Sequence, residues 1–300
     1  MKNLLYLFVA VLLFSCNSKE KKDTKNTADN LVTDEIRTDL YGSWIGRFIV
    51  AERDTTRPVT EMYSNKINIL IKKITSTEVT GQSIVAGNIR PLKGFMKRTG
   101  NTFYFTLKEP GDDKNDGVFT FEIQKDTLLT GTWTAYNSKK EVTKRKFELL
   151  KKEFKYDPNA MLSEDIYMDF QNPKEPEQKE EKIKKDTINE DEEYDDSDSP
   201  LYRGASDVVY TINSSTTKLK ESQLKNLKKL DLEILRNTIF ARHGLSFKTK
   251  TVRQFFNDEE WYIPVSTNVN DQLTALEKEN IALLKRFEKY ATDSYESFGR

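Results

Sequence analysis

Residues 102–124 read TFYFTLKEPGDDKNDGVFTFEIQ, and this stretch decides the fold of the first half of the chain. Phe103, Phe105 and Leu107 fall on alternate positions, and so do Phe119, Phe121 and Ile123. Side chains on a strand point alternately to its two faces, so a period of two marks strands with one buried face. Pro110-Gly111-Asp112 and Asp116-Gly117 stand between the runs and supply turn residues. The stretch is therefore expected to fold as an antiparallel hairpin.

The same period extends outward. Ile67, Ile69 and Ile71 alternate, and Thr99-Gly100-Asn101 marks another turn. Eight strands are expected, near 43–50, 66–74, 77–86, 88–97, 102–108, 117–124, 128–136 and 143–152. Short antiparallel strands at this spacing argue for an all-β domain over 39–157, a closed barrel or a sandwich. Gly42-x-Trp44 opens the first strand and Gly131-x-Trp133 a later one. The first resembles the start of lipocalin-like barrels, where the tryptophan closes the barrel bottom. Core packing is the simpler role for Trp44 and Trp133; in an eight-stranded barrel they are also candidates to line a small apolar ligand, as is Trp261 in the second half.

The hairpin turn gathers Asp112, Asp113 and Asp116. Calcium takes six to eight oxygen ligands, but Lys114 stands where another oxygen would be needed. A solvated loop is the better reading, and no metal or other cofactor is expected. One histidine and one cysteine leave no cluster for zinc, and neither a phosphate-binding glycine loop nor a nucleophile elbow appears.

Charge divides the rest of the chain. The net charge of the 300 residues is zero, yet residues 41–157 hold 21 Lys/Arg against 14 Asp/Glu, and residues 218–290 hold 14 against 10. Between them, residues 163–199 hold 5 against 15. Such an acidic, weakly apolar stretch cannot bury enough surface to fold, so 158–200 is expected to be a disordered, self-repelling linker.

The N-terminus carries the clearest functional signal. Lys2 precedes an apolar run from Leu4 to Phe14, and Leu13-Phe14-Ser15-Cys16 closes it. A membrane-spanning helix needs about 20 apolar residues, so the run has the length of a secretory segment instead. It resembles a type II signal peptide over 1–15, with Cys16 as the acylated residue of a bacterial lipoprotein. Cys16 is the chain's only cysteine, and acylation accounts for a lone thiol in an exported protein. Two or more acyl chains anchor stably, with 16–38 as a flexible tether. Asn17 after the cysteine points, by Gram-negative sorting rules, to the outer membrane, and Lys19 to Asp23 resembles a surface-export tag. The expected location is the cell envelope, with a cell-wall, lipid or protein partner and no nucleic acid.

From residue 201 to 292 the period becomes helical. Leu273, Leu276, Asn280, Leu283 and Phe287 form one stripe, Asp231 is a candidate N-cap, and Thr251-x-x-Gln254 looks like a capping box. Leu235-Arg236-Asn237 through Ile239-Phe240-Ala241-Arg242-His243-Gly244, then Phe247, Phe255, Trp261-Tyr262 and Glu277-x-x-Asn280, resemble the YARHG domain of exported bacterial proteins. Phe240 stands where that family usually has tyrosine. The resemblance implies an extracytoplasmic module without an assigned activity.

The motif has structural work available to it. With Gly244 just past a helix end, Leu245 and Phe240 are the pair that meet in a Schellman motif, and Arg242 and His243 sit where positive charge complements the helix dipole. Asn280 is expected to pin a loop, such as the turn after Gly244, and Arg236 to pair with Glu277. The sharper alternative makes His243, beside Arg242, a general base. The expected function is non-enzymatic binding or scaffolding at the envelope. The alternatives are an envelope hydrolase using His243 or paired carboxylates, and a lipocalin-like carrier of a small apolar ligand.

Overall fold

The computed structural model describes residues 34–125, 127–173 and 202–293. The expected signal peptide, Cys16 and most of the tether lie outside the described residues, as does 174–201 of the acidic stretch. Among the described residues no helix is long and apolar enough to cross a membrane.

Eight strands form: β1 (Gly42–Arg53), β2 (Ser64–Ile74), β3 (Val79–Val85), β4 (Asn88–Thr99), β5 (Thr102–Lys108), β6 (Gly117–Gln124), β7 (Leu128–Ala135) and β8 (Val142–Lys152). They pair up and down in sequence order, and β8 returns to β1, so the sheet is a closed barrel. The alternation seen in 102–124 is the inward face: Phe105 lies opposite Phe121 and Leu107 opposite Phe119. The Phe105 and Phe121 rings stack at 4.8 Å. Ile67, Ile69 and Ile71 complete the same interior with Phe48, Phe103 and Phe147. Burying each such side chain contributes about 2 kcal/mol. Register shifts between Val50 and Glu52 in β1 and between Ile71 and Lys73 in β2 bend the sheet toward closure.

One barrel end is plugged. A 3-10 turn, Thr38–Leu40, lies across it with Leu40 fully buried, and Trp44 Nε1 donates to the Leu40 carbonyl at 3.1 Å. Trp44 is thus the bottom of the barrel, with no exposed surface to offer a ligand. The opposite end carries the turns β1–β2, β3–β4, β5–β6 and β7–β8.

The helical part contains α1 (Val208–Thr211), α2 (Glu221–Leu224), α3 (Lys229–Arg242), α4 (Lys250–Phe256) and α5 (Ala275–Glu288). Helix α3 is sandwiched: Leu230, Ile234 and Ala241 face one apolar cluster, and Leu232, Leu235 and Ile239 face another. Several local expectations shift. Asp231 is not the N-cap of α3 but its third residue, accepting from the Lys228 amide at 2.9 Å and from Ser206 N and Oγ. Helix α4 starts after Thr249, so Thr251 lies inside it, and the capping box forms instead on α5 between Thr274 and Glu277. Asn280 pins the loop before α2, donating to the Ser214 and Thr217 carbonyls and accepting from Leu219 N, rather than the turn after Gly244. Arg236 pairs with Glu288 at 2.5 Å, because Glu277 is taken by His243.

The linker also begins later than composition suggested. Residues 158–173 are ordered: Leu162 and Tyr167 enter the helical core, and Asp169 is fully buried against Arg203 at 2.8 Å. Apolar Leu162 and Tyr167 outweigh the local acidity. Met168 bridges Gly204, flanked by Asp169 N to Arg203 O and Ala205 N to Tyr167 O. The described chain before and after 174–201 is therefore held together at this bridge.

Nor are barrel and helices held apart. Segment 257–264 lies on the outer face of β2: Asn257 Oδ1 accepts from Lys66 N, Asn68 Nδ2 donates to the Pro264 carbonyl at 2.9 Å, and Lys66 Nζ donates to the Glu259 carbonyl. At the β3–β4 turn, Gly87 N donates to Ser246 Oγ at 3.0 Å.

Candidate functional site

The four turns at the open end of the barrel surround a cavity of about 400 Å³, roofed by Lys248, Lys250 and Arg253 of the helical part. Its floor is aromatic. Phe48, Phe119 and Trp133 line it, with the Phe48 ring centroid 6.2 Å from that of Phe119 and 5.9 Å from that of Trp133.

Its walls are ionic and unevenly balanced. Glu109 reaches inward from the end of β5 and accepts from Ser83 Oγ, Gly117 N and Trp133 Nε1 at 2.7–3.1 Å. Burial pushes its carboxyl up, against the pull of those three donors. Asp116 accepts from Arg90 and from the amides of Gly111 and Asp113, and Asp112 holds the same arginine. Neither of the two remaining arginines is hydrogen-bonded to a carboxylate. Arg145 is 5% exposed and donates to the carbonyls of Phe48, Met62 and Tyr63; its nearest carboxylate, Glu61, stands 4.0 Å away. Arg253 is 7% exposed, and Nη1 donates to the carbonyls of Phe247 and Lys248. Burial pulls both guanidiniums below their usual range. Arg253 Nε and Asn65 Oδ1 are buried without any hydrogen-bond partner. Native proteins leave few such atoms unpaired, and here both residues line a cavity.

The helix end that carries the sequence motif is built differently. Gly244 has φ +74°, Leu245 N donates to the Phe240 carbonyl and Gly244 N to that of Ala241, which is the expected Schellman motif. His243 Nε2 lies 2.8 Å from Glu277 Oε2, and its ring stacks on Tyr156 at 4.2 Å. Tyr156 donates to Glu277 Oε1 at 3.0 Å; burial first, then Glu277, pushes its hydroxyl up to about 12. Arg242 is buried, donating to the Ala160 carbonyl and Ser215 Oγ, and burial lowers it to about 10.

Residues 207–289 match the YARHG domain family. That segment is a YARHG domain. No curated protein and no solved structure matches the chain.

In this YARHG domain, Phe240 packs between the two apolar clusters that flank α3. His243 and Arg242 do not face the barrel-mouth cavity. Arg242 instead borders a second cleft, of about 520 Å³, beside Phe154, Tyr156 and Trp261. Trp261 Nε1 is buried there without a partner. Of the three tryptophans, Trp133 lines the mouth, Trp261 the second cleft, and Trp44 neither. Asp112 and Asp116 converge on Arg90, while Asp113 Oδ1 accepts from Asn115 N. Among the described residues no group of three or more His, Cys, Asp or Glu is arranged to hold a metal.

Sequence reasoning missed Asn65, Arg145 and Arg253. Asn68 interrupts the outward face of β2 with an amide, and Asn65 falls on the inward face with Ile67, Ile69 and Ile71, where it lines the cavity. Asn68 is fully buried because the YARHG domain covers β2. Asn68 was thus the available signal that another surface docks on β2, and Asn65 the signal of a polar inward position at the mouth.

Proposed function

We propose that the protein is a non-enzymatic binding module of the cell envelope, tethered through acyl chains on Cys16. Its ligand would be captured where the barrel mouth meets the YARHG domain. The observation that supports this reading is the pair of unpartnered buried polar atoms, Asn65 Oδ1 and Arg253 Nε, on one cavity. The chemistry-bearing residues of the YARHG motif are engaged in the fold: His243 is held between Glu277 and Tyr156, and Arg242 between a carbonyl and a hydroxyl. Asn17 after the lipidated cysteine favours the outer membrane, and a cell-wall, lipid or envelope-protein component supplies the ligand.

The test uses the full chain, extracted from membranes in detergent and heated with fractions of an envelope extract. A fraction that raises the melting temperature in proportion to its concentration supports the reading. Silence from every fraction overturns it. Turnover of an envelope substrate, lost in His243→Asn at unchanged melting temperature, would replace it with the hydrolase reading. Cys16→Ser, released from the membrane, tests the tether separately.

The aromatic floor of Phe48, Phe119 and Trp133 favours a second reading, a lipocalin-like carrier of a small apolar molecule. Below that floor the barrel is filled by Phe105, Phe121, Ile67 and Ile69, which leaves such a molecule only the mouth.

A further inference from the structure

We propose that the barrel-mouth cavity takes a small organic anion, its carboxylate or phosphate held by Arg253 and Arg145 and its body lying on Phe48, Phe119 and Trp133. The proposal rests on the binding reading above and narrows it to a class of ligand.

Three observations carry it. The first is the charge inventory. Glu109 is occupied by three donors and Asp116 by Arg90 and two amides. Arg145 and Arg253 meet only main-chain carbonyls at hydrogen-bond distance, and Lys140 Nζ donates to the neutral Asn115 side chain at 2.7 Å. Among the described residues no carboxylate lies within ion-pair distance of Arg253. A guanidinium pairs best with a carboxylate or phosphate in a planar, two-point contact.

The second is the unpaired Nε of Arg253. A donor sealed from water with no acceptor destabilises the fold, and an anion entering the cavity supplies the acceptor. Asn65 Oδ1 is similarly unpaired and would accept from a hydroxyl or protonated group on the ligand. The third is shape. A cavity of about 400 Å³ with three aromatic rings as its floor admits a body larger than an inorganic ion.

Glu61 is the natural competitor. It sits 4.0 Å from Arg145 on the β1–β2 loop, its side chain 43% exposed, and it acts on Arg145, Arg253 and Lys140 alike. A bound anion would have to share these cations with it.

Calorimetric titration of the full chain in detergent with benzoate, phenyl phosphate and benzyl alcohol decides the matter. One of the two anions is expected to bind at least about tenfold more tightly than the alcohol, the gain of one charge-assisted contact. Which anion wins separates a carboxylate from a phosphate ligand. Arg253→Gln should weaken the anion about tenfold or more and leave the alcohol unchanged, and Glu61→Gln should strengthen it. Equal binding of alcohol and anion would overturn the proposal while leaving the cavity a binding site. Silence of all three probes, with extract fractions still raising the melting temperature, would overturn it and move the ligand elsewhere. If Arg253→Gln fails to fold, Glu61→Gln decides alone, and no gain in anion affinity sinks the idea.

Discussion

His243 and Glu277 hold each other out of water: Nε2 of the first lies 2.8 Å from Oε2 of the second, with side chains 4% and 0% exposed. Glu277 also accepts from the Thr274 amide at the start of α5 and from the Tyr156 hydroxyl. One carboxylate thereby ties the end of α3, the start of α5 and the chain leaving the barrel.

His243→Ala should destabilise the protein by about 2 kcal/mol, the cost of leaving a buried charged acceptor short of a donor. Urea denaturation of the full chain in detergent checks this, and a loss under about 0.5 kcal/mol would deny the structural role. The pair also has a pH signature. Burial pushes the Glu277 carboxyl up, but the Thr274 amide, His243 and Ser215 outweigh it, so the folded value lies below the ordinary one. The unfolded chain then takes up the proton first. The stabilisation is complete at neutral pH and fades as pH falls below about 4.3. Glu277→Gln should flatten that acid limb.

Arg203 offers a harsher test. Its Nε, Nη1 and Nη2 reach Asp169, Asp293 and Glu233 at 2.8–3.1 Å, and Asp169 is fully buried. Arg203→Ala leaves that carboxylate to neutral donors alone, Asn172, Gln254 and the Gln171 amide, and should cost about 3 kcal/mol. Arg203→Lys should recover little, because one ammonium cannot reproduce a three-way fork. Melting temperatures of the two variants should therefore fall close together.

At alkaline pH a buried cation gives a slope of the same sign. Lys66 is lowered to about 8, first by burial and then by Lys152. Between that value and its ordinary one near 10.4, the unfolded chain holds a proton the folded chain lacks, so stability rises with pH. Lys66→Met should remove part of the rise in urea midpoint between pH 7.5 and 9.5. An identical rise in both proteins would place Lys66 in water, away from the Glu259 carbonyl.

The strand pattern was legible because Phe103, Phe105 and Leu107 carry their burial in the spacing itself. All eight strands formed near their expected positions. The helical motif was legible for the same local reason: Gly244 takes φ +74° where a Schellman turn needs it. What spacing could not carry was contact between distant segments. Asn68 on β2 meets Pro264, 196 positions later, and nothing local to either residue announces it. The cavity depends on the same docking, since Asn65 and Arg253 come from opposite halves. Composition misjudged 158–173 because acidic residues there mask Leu162 and Tyr167, two side chains that suffice to draw the segment into a core.

Docking of the halves is testable at one glycine. Gly87 has φ +77°, and a Cβ there would stand 2.7 Å from Lys248 Cα. The left-handed backbone alone costs an alanine about 1–2 kcal/mol, and the clash is with main chain that cannot swing aside. Gly87→Ala should lower the melting temperature and split one thermal transition into two. Gly100→Ala, also left-handed but with nothing within 4 Å, is the control for strain without contact.

The bridge between Met168 and Gly204 changes what the acidic segment means for the whole chain. Its two ends are fixed side by side, so the distance it must close does not depend on its length or charge. Doubling a closed loop costs only about 0.6 kcal/mol, so shortening or extending 174–201 should leave melting nearly unchanged. A protease cut there should yield two fragments that elute together and part only in denaturant. The protein is in that sense two interlocked pieces that happen to share a backbone, and the connection between them can be rewritten without disturbing either.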